Sequence, residues 1–322
     1  MIIDYIENDY VVSVVGMCKN AGKTTVLNKL IEQYRGERLA LTSVGRDGES
    51  QDVVTNTIKP KIYVNKGVMF ATASELLPFC HITKEIIYTT NINTPLGKVV
   101  IVRALSCGFV QLAGPSMVDQ LQTLKDLFIG LGATKILIDG AISRRSIGNP
   151  DLSNSIILST GASLSHSIDE LVEQTAYMVK LLSVEKMDEK LYQTIKEHKG
   201  TLFLSSKNDL LAKDLSLKET PENTKFIYVD TALTDSLVAP LLSLNINDLT
   251  IYAYDSSKIM LSKKIYDNLV VRKIGLGVVK NANLRVVTIN PLSYRGIMLD
   301  KNILLKRMQQ EIQIPVVNVE EE

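Results

Sequence analysis

The sequence predicts an α/β fold in which a mostly parallel sheet is flanked by helices, with an inserted antiparallel hairpin and a second α/β domain. Short runs of β-branched and other apolar residues alternate with longer amphipathic stretches along nearly the whole chain, as in successive βαβ units. Apolar residues make up 45% of the sequence and charged residues 22%. This composition supplies a sizeable core and argues against a disordered chain.

The elements of the first half follow from local patterns of apolar spacing and from turn residues. Strands are predicted at 10–15, 39–44, 61–64, 68–70, 135–141 and 155–159. Helices are predicted at 24–34 and 71–77, from a cap at Ser116 onwards, and at 167–184. Two β-rich runs, 86–92 and 98–104, are joined by Asn-Thr-Pro-Leu-Gly, which indicates an antiparallel hairpin.

A charged stretch interrupts the alternation near residue 187, and we place a domain boundary there. The 322 residues are enough for one large or two ordinary domains. The expected domains are 1–187, for nucleotide binding, and 188–322, for binding a partner or effector. In the second domain, Ile-Asn-Pro (289–291) and Tyr-Arg-Gly (294–296) form a candidate functional loop, with an ordinary turn as the alternative. In the second, strands are predicted at 201–204, 226–229, 249–253, 285–289 and 315–319, and helices at 234–242, 258–269 and 300–312.

Bulk properties exclude several classes of protein. Lys plus Arg (36) and Asp plus Glu (35) nearly cancel, so no nucleic-acid-binding surface is expected. The three cysteines have no CxxC spacing, which favours reduced thiols in a cytoplasmic protein. The acidic N-terminus lacks a signal peptide's basic start, and no apolar run reaches bilayer length. We therefore expect no membrane partner, and a homodimer is the default if the protein oligomerises.

The most informative stretch is 11–25, Val-Val-Ser-Val-Val-Gly-Met-Cys-Lys-Asn-Ala-Gly-Lys-Thr-Thr. A β-branched run stops at Gly16, and a short loop leads into a helix. Backbone N–H groups of such a loop, together with the helix dipole, favour a polyphosphate. Lys23 is placed to reach the β- and γ-phosphates, and the Thr24 hydroxyl to bind Mg²⁺. The residues expected to bind a nucleotide are Gly16, Lys19, Asn20, Ala21, Gly22, Lys23, Thr24 and Thr25.

One feature departs from the usual phosphate-loop pattern, which has four residues between its first glycine and the Gly-Lys pair. Here five residues separate Gly16 from Gly22. The alternative is a glycine-containing turn with a chance Gly-Lys-Thr. The flanking strand and helix favour the phosphate loop. Cys18, inside the loop, is interpreted as a small packing residue.

Acids that follow predicted strands are the candidates for Mg²⁺ binding and for catalysis. Asp139 comes directly after the apolar run 136–138, where a Walker B acid lies. Its alternative role is a helix or turn cap beside a glycine. Asp47 lies just beyond the second strand, where Glu49 and Asp52 compete for the role of metal ligand or water-orienting group; any of the three could be a solvated loop acid. The expected catalytic set is Lys23, Asp47 and Glu49, and the expected metal ligands are Thr24, Asp47 and Asp139.

The identity of the base is left open, with ATP favoured over GTP. Ser206-Lys207-Asn208-Asp209 loosely resembles the Asn/Thr-Lys-x-Asp signature that recognises guanine. The same four residues are also typical of an ordinary helix N-cap, and we favour the cap.

These motifs resemble a known class. The spacing Gly16-x5-Gly22-Lys23-Thr24 is similar to that of dethiobiotin synthetase and its relatives, within the MinD-like class of P-loop NTPases. Asp139-Gly140-Ala141 is similar to their Glu-Gly-Ala turn, with Asp in place of Glu. The resemblance implies a Mg²⁺ site built from Thr24, Asp139 and Asp47. MinD-type loops have a signature lysine five residues before the motif lysine, and this chain has Cys18 at that position. The resemblance therefore does not extend to dimer-activated hydrolysis.

A narrower resemblance covers more of the chain. Segments 16–25, 42–49, 138–144 and the tail from 290–291 to 314–316 resemble the small P-loop subunit of the lysine 5,6-aminomutase reactivase. The resemblance implies two partners, a MutS-like ATPase subunit and a B12-dependent (adenosylcobalamin) aminomutase of lysine fermentation. It implies nucleotide turnover that releases damaged cobalamin from the mutase.

Two hypotheses about function follow, and a nucleotide-binding protein without turnover is the third alternative. In the first, the protein is a Mg²⁺-dependent NTPase that acts as a conformational switch, such as a reactivating factor. In the second, it is a dethiobiotin-synthetase-like ligase or kinase that phosphorylates a small carboxylate or carbamate. The second hypothesis requires a substrate pocket with a cationic anchor, and the sequence does not identify one.

Overall fold

The computed structural model describes residues 1–47, 61–141, 150–244, 246 and 248–321, without the side chains of Arg46, Asp47 and Ala141. The strands, in chain order, are β1 (Val11–Gly16), β2 (Leu39–Ser43), β3 (Arg46–Asp47), β4 (Ile62–Val64), β5 (Met69–Ala73), β6 (Lys84–Thr94), β7 (Gly97–Ala104), β8 (Gly108–Val110), β9 (Leu112–Ala113), β10 (Lys135–Ala141), β11 (Ser155–Gly161), β12 (Glu185–Lys186), β13 (Thr201–Leu204), β14 (Leu210–Lys213), β15 (Phe226–Val229), β16 (Leu233–Thr234), β17 (Thr250–Asp255), β18 (Ile259–Met260), β19 (Gly275–Lys280), β20 (Leu284–Asn290) and β21 (Val316–Asn318). The α-helices are α1 (Lys23–Gln33), α2 (Val118–Gly130), α3 (Ile168–Leu182), α4 (Glu189–Ile195), α5 (Asp235–Val238), α6 (Lys263–Val271) and α7 (Lys301–Glu311). Short 3-10 helices cover Ile2–Tyr5, Ser74–Phe79, Leu217–Glu219, Ala239–Ser243 and Ser256–Lys258.

The chain divides into two compact units that are not consecutive halves. One unit comprises Met1–Ile147, Asp151–Ala176 and Asn283–Glu322, and the other comprises Gly148–Pro150 and Tyr177–Ala282. This division differs from the single boundary expected near residue 187, because the C-terminal segment returns to the first unit. There β20 pairs in parallel with β11. Parallel partners can be far apart in sequence, so the local pattern does not show which sheet a late strand joins.

The first unit contains a large mixed sheet, which confirms the predicted α/β class. Among the described residues its strand order is β21-β20-β11-β1-β10-β2-β5-β7-β6. Pairing is parallel from β21 through β5. At one edge, β7 lies between β5 and β6 and is antiparallel to both. The predicted hairpin is therefore confirmed as β6–β7, and it extends the main sheet.

The strand β1 lies in the interior of this sheet, and all six of its residues are buried. Its near-continuous β-branched sequence suits a strand that is covered on both faces. On one face, Val12 and Val14 pack with Val26 and Leu27 of α1 in a single buried cluster. On the other face, helix α3 contributes Thr175, whose hydroxyl lies 3.0 Å from that of Thr160 in β11. Helices thus flank both faces, as the sequence predicts.

The second unit has its own sheet, with described strand order β12-β19-β17-β15-β13-β14. Four neighbouring strands pair in parallel: β12, β19, β17 and β15. The next strand in the sheet, β13, is antiparallel to both of its neighbours, β15 and β14. A separate buried cluster that includes Phe203, Ile227, Ile251 and Leu269 forms the core on one side. This unit is therefore also α/β.

Three predicted helix positions are wrong. The 71–77 stretch is the end of β5 followed by a 3-10 helix, because Ala71–Ala73 pair with β7. Helix α6 begins at Lys263 rather than at 258. Its N-cap is Ser262, whose side chain accepts a hydrogen bond from Ile265 N (3.4 Å). Helix α2 has Met117 at its N-cap, without a capping side chain, so Ser116 does not cap it.

The helices are short. The longest described helix, α3, has 15 residues, whereas a membrane span needs about 20 apolar residues. Across the parts of the chain that the structure describes, no helix has the length and apolar character needed to cross a bilayer.

Candidate phosphate-binding site

The candidate site lies where β1 ends and α1 begins. Residues 17–22 form the connection, which we call the β1–α1 loop, and Lys23 is the first residue of α1. Gly22 occupies the helix N-cap with φ of +95°. A side chain is strained in this left-handed region, so glycine suits the position. The strand–loop–helix order predicted from the sequence is confirmed.

The side chain of Lys23 folds back over Gly16. A Cβ atom built on Gly16 would lie 2.8 Å from both Cγ and Cδ of Lys23 and 3.1 Å from its Nζ. The ammonium group is therefore held at the carboxyl end of β1, beside the N-terminus of α1. A helix N-terminus presents unpaired N–H groups and a partial positive charge. Lysine and helix together concentrate positive charge at the mouth of the loop.

The geometry gives Gly16 a specific role that Gly16→Ala tests. The added methyl group would force Lys23 into another rotamer, because Cγ as well as Cδ lies 2.8 Å from a Cβ on Gly16. Under the nucleotide-binding prediction of the sequence, affinity for MgATP is expected to fall by about tenfold or more, since the predicted charge-assisted contact of Lys23 with phosphate is displaced. The unfolding temperature should change little. Titration calorimetry and thermal melting measure the two effects.

Gly130→Ala is the matched control for this substitution. Nothing lies within 4 Å of a Cβ built on Gly130, at the end of α2. Alanine there should leave MgATP affinity unchanged. Equal affinities of wild type and Gly16→Ala would contradict the role assigned to Gly16.

Neighbouring strands hold both ends of the β1–α1 loop. At its start, Met17 N donates a hydrogen bond to the Ser159 carbonyl oxygen in β11 (2.9 Å). At its end, a Cβ built on Gly22 would lie 3.1 Å from Cβ of Asn290, the last residue of β20. Asn290 lies in the Ile-Asn-Pro segment that was predicted to bind a partner or effector, and it was not predicted to belong to the phosphate site. The available signal was an Asn-Pro pair at the end of a predicted strand.

Asp139 lies on the same face of the sheet as α1. It pairs in register with Val14 of β1 and with Ser43 of β2. Register-paired residues of parallel strands project to the same face, and Val14 packs against α1. Asp139 is 4% exposed. β10 continues through Ala141, so Asp139 belongs to the strand rather than following it.

The remaining predicted binding residues occupy the loop and the first turn of α1. Lys19 is exposed and Ala21 is buried. Asn20 has φ of +60°, a left-handed conformation that asparagine tolerates better than most residues. Thr24 and Thr25 are partly exposed in the first turn of α1. Gly16 and the six other predicted residues are thus contiguous with Lys23 around the loop.

The two loop acids predicted for catalysis are described incompletely. The backbone of Asp47 belongs to β3, where it pairs with Leu112 of β9. Its side chain is outside the described part of the chain, and so is the whole of Glu49, together with Asp52. Ser43 stabilises the short segment that joins β2 to β3. Its hydroxyl donates a hydrogen bond to the Gly45 carbonyl oxygen (2.8 Å) and accepts one from Gly114 N (3.2 Å).

Mg²⁺ would require oxygen ligands on the α1 face, and Thr24 with Asp139 supplies a hydroxyl and a carboxylate. Within the described ranges, no three His, Cys, Asp or Glu residues are grouped as in an all-protein metal site. Mg²⁺ bound with a nucleotide takes one or two protein oxygens and completes its shell with phosphates and water. The hydroxyl of Thr24 and the carboxylate of Asp139 are oxygen donors of the type that Mg²⁺ takes from a protein in such a case.

Cys18 is suited to packing rather than to chemistry. Burial raises the pKa of its thiol, and the nearby positive charge of Lys23 opposes this rise in part. The raised pKa keeps the thiol protonated at neutral pH, which makes it a poor nucleophile.

The segment 206–209 is not a helix cap. It lies in the hairpin that joins β13 to the antiparallel strand β14, in the second unit. The hydroxyl of Ser205 accepts hydrogen bonds from Lys207 N (3.1 Å) and Asp209 N (3.2 Å), and Asn208 has φ of +68°. The favoured interpretation as an N-cap is wrong, because polar turn residues serve hairpins as well as helix starts.

Comparison with known proteins adds no assignment. The chain matches no protein-family model and no curated protein.

Proposed function

We propose that the protein is a Mg²⁺-dependent P-loop nucleoside triphosphatase that favours ATP. The observation that supports this most strongly is Lys23, which folds back over Gly16 at the N-terminus of α1. This position places an ammonium group beside Gly16, where the β1–α1 loop begins. A polyphosphate would form an ion pair with the lysine and would accept hydrogen bonds from the unpaired backbone N–H groups at the start of the helix.

Each residue has a role in this proposal. Backbone N–H groups of the loop and of the first turn of α1 bind the phosphate oxygens, and Lys23 binds the β- and γ-phosphates. Thr24 and Asp139 would hold Mg²⁺, which when bound neutralises charge on the phosphates. Asp47 or Glu49 orients the attacking water. Catalysis of this kind depends on position and charge rather than on a covalent intermediate.

A switch requires an element whose position depends on the bound nucleotide. We propose that β3, which carries Asp47, has this role. It pairs with β9 through two residue pairs, Arg46 with Ala113 and Asp47 with Leu112. So short a ladder is inexpensive to rearrange when a γ-phosphate is lost.

The more specific proposal is that the switch serves a reactivating factor. It rests on the resemblance of segments 16–25, 42–49 and 138–144 to the small subunit of the lysine 5,6-aminomutase reactivase. A MutS-like ATPase subunit and a B12-dependent aminomutase are the partners proposed on that basis.

Release of inorganic phosphate tests the proposal. Purified protein is incubated with MgATP or MgGTP and with no small acceptor. Release that depends on Lys23 supports an NTPase, and the faster nucleotide identifies the base preference. Absence of release from both nucleotides would contradict unaided hydrolysis and would favour a ligase that needs its carboxylate or carbamate acceptor.

A further inference from the structure

We propose that Asn290 is a positioning residue that holds the Gly22 end of the β1–α1 loop and so affects the binding of every polyphosphate, whatever its base. This inference rests on the proposed function, since it concerns the same site. It assigns a role to a residue 268 positions after Gly22 in the chain.

The side chain of Asn290 packs closely against Gly22. The three atoms nearest to a Cβ built on Gly22 all belong to Asn290: Cβ at 3.1 Å, Nδ2 at 3.5 Å and Cγ at 3.7 Å. Gly22 is the N-cap of α1 and has φ of +95°. A group that fixes Gly22 therefore fixes the direction in which the first N–H groups of α1 point.

Asn290 is itself held firmly. Its carbonyl oxygen accepts a hydrogen bond from Ala162 N (2.9 Å), and its Oδ1 accepts one from Leu292 N (3.0 Å). The backbone approaches Gly161 so closely that a Cβ there would lie 2.2 Å from the Asn290 carbonyl oxygen. With Oδ1 engaged by Leu292, the amide group Nδ2 is the part of the side chain left to face the loop.

The two supports of the loop come from adjacent strands. Ser159, which binds Met17, lies in β11, and Asn290 ends β20; these strands pair with Gly161 opposite Asn290. The loop thus contacts two adjacent strands, through a hydrogen bond at Met17 and through close packing of Gly22 against Asn290. Such contacts lower the entropic cost of binding for any ligand that uses the loop's N–H groups. The effect does not depend on the base.

Asn290→Asp tests the inference because it preserves shape and changes charge. The carboxylate can still accept from Leu292 N, but it places a negative charge beside the N-terminus of α1. The probes are the Mg²⁺ complexes of inorganic tripolyphosphate, ATP and GTP, and calorimetry measures each affinity. We expect all three to weaken by a similar factor, on the order of tenfold. Asn290→Ala, which removes Nδ2 and Cγ but keeps Cβ, should weaken all three by about threefold.

Asn318→Asp is a matched control. Asn318 ends β21, opposite Ile289 of β20, and its Oδ1 accepts from Glu320 N (3.2 Å). It makes the same kind of side-chain contact one strand further from the loop. Its replacement should leave all three affinities unchanged, and thermal melting checks that every variant is folded.

The outcomes separate this inference from the proposed function. Loss confined to ATP or to GTP, with tripolyphosphate binding intact, would mean that Asn290 reads the base and would overturn the inference alone. Unchanged affinities in Asn290→Asp would do the same. A wild-type protein that binds none of the probes would overturn the proposed function together with the inference. If Asn290→Asp does not fold, the affinities of Asn290→Ala for the three probes test the inference by the same criteria.

Discussion

Lys23→Ala is expected to lower phosphate release from MgATP by about a hundredfold or more. The side chain lies over Gly16, with Nζ 3.1 Å from the position of a Cβ there. In the proposed mechanism it is the cation closest to the β- and γ-phosphates, where negative charge develops. Its removal takes away charge stabilisation without opening a core cavity, so the unfolding temperature should change little.

Steady-state phosphate release and thermal melting measure these effects. Lys29→Ala is the matched control because it removes a lysine from the same helix, about 9 Å further along its axis. That variant should hydrolyse MgATP at the wild-type rate. If Lys23→Ala also kept the wild-type rate, the site of hydrolysis could not be the β1–α1 loop.

Asp139→Asn is expected to raise the Mg²⁺ concentration needed for half-maximal activity by about tenfold or more and to lower the maximal rate. The substitution preserves shape and removes a charged oxygen ligand. Asp139 is buried on the α1 face, in register with Val14 and Ser43. A neutral amide is a weaker ligand for Mg²⁺ than a carboxylate.

Titration of activity with Mg²⁺ at saturating ATP measures this effect. Asp119→Asn, an exposed acid in the first turn of α2, controls for the loss of one negative charge from the protein. It should not change the Mg²⁺ requirement. An unchanged requirement in Asp139→Asn would exclude Asp139 as a metal ligand and leave the lysine's role untouched.

Features encoded locally could be predicted from the sequence. The β1–α1 unit, the β6–β7 hairpin and the strand β10 each rest on a contiguous pattern of apolar residues and turn residues. The predicted helix at 258–269 failed because Ile259–Met260 form β18 with β16 before the chain reaches its cap at Ser262. Propensity alone does not reveal such a pairing.

Features that depend on distant pairing could not be predicted. The return of β20 and β21 to the first sheet leaves no local trace, so the domain boundary was placed as if the chain folded in sequence order. Asn290 was assigned to a partner- or effector-binding loop rather than to the phosphate site for the same reason, since its contact with Gly22 exists only after β20 has paired with β11. Lys23 and Asp139, in contrast, were selected because a short motif and a strand end marked them.

The central claim is that a polyphosphate binds at the β1–α1 loop, and amide hydrogen exchange with and without Mg²⁺-tripolyphosphate tests it most directly. We expect slower exchange at residues 17–25, where backbone N–H groups would donate to phosphate oxygens. Lys23→Ala should lose that protection at the same probe concentration. Exchange at 17–25 that stays unchanged at a probe concentration that saturates binding would contradict the account.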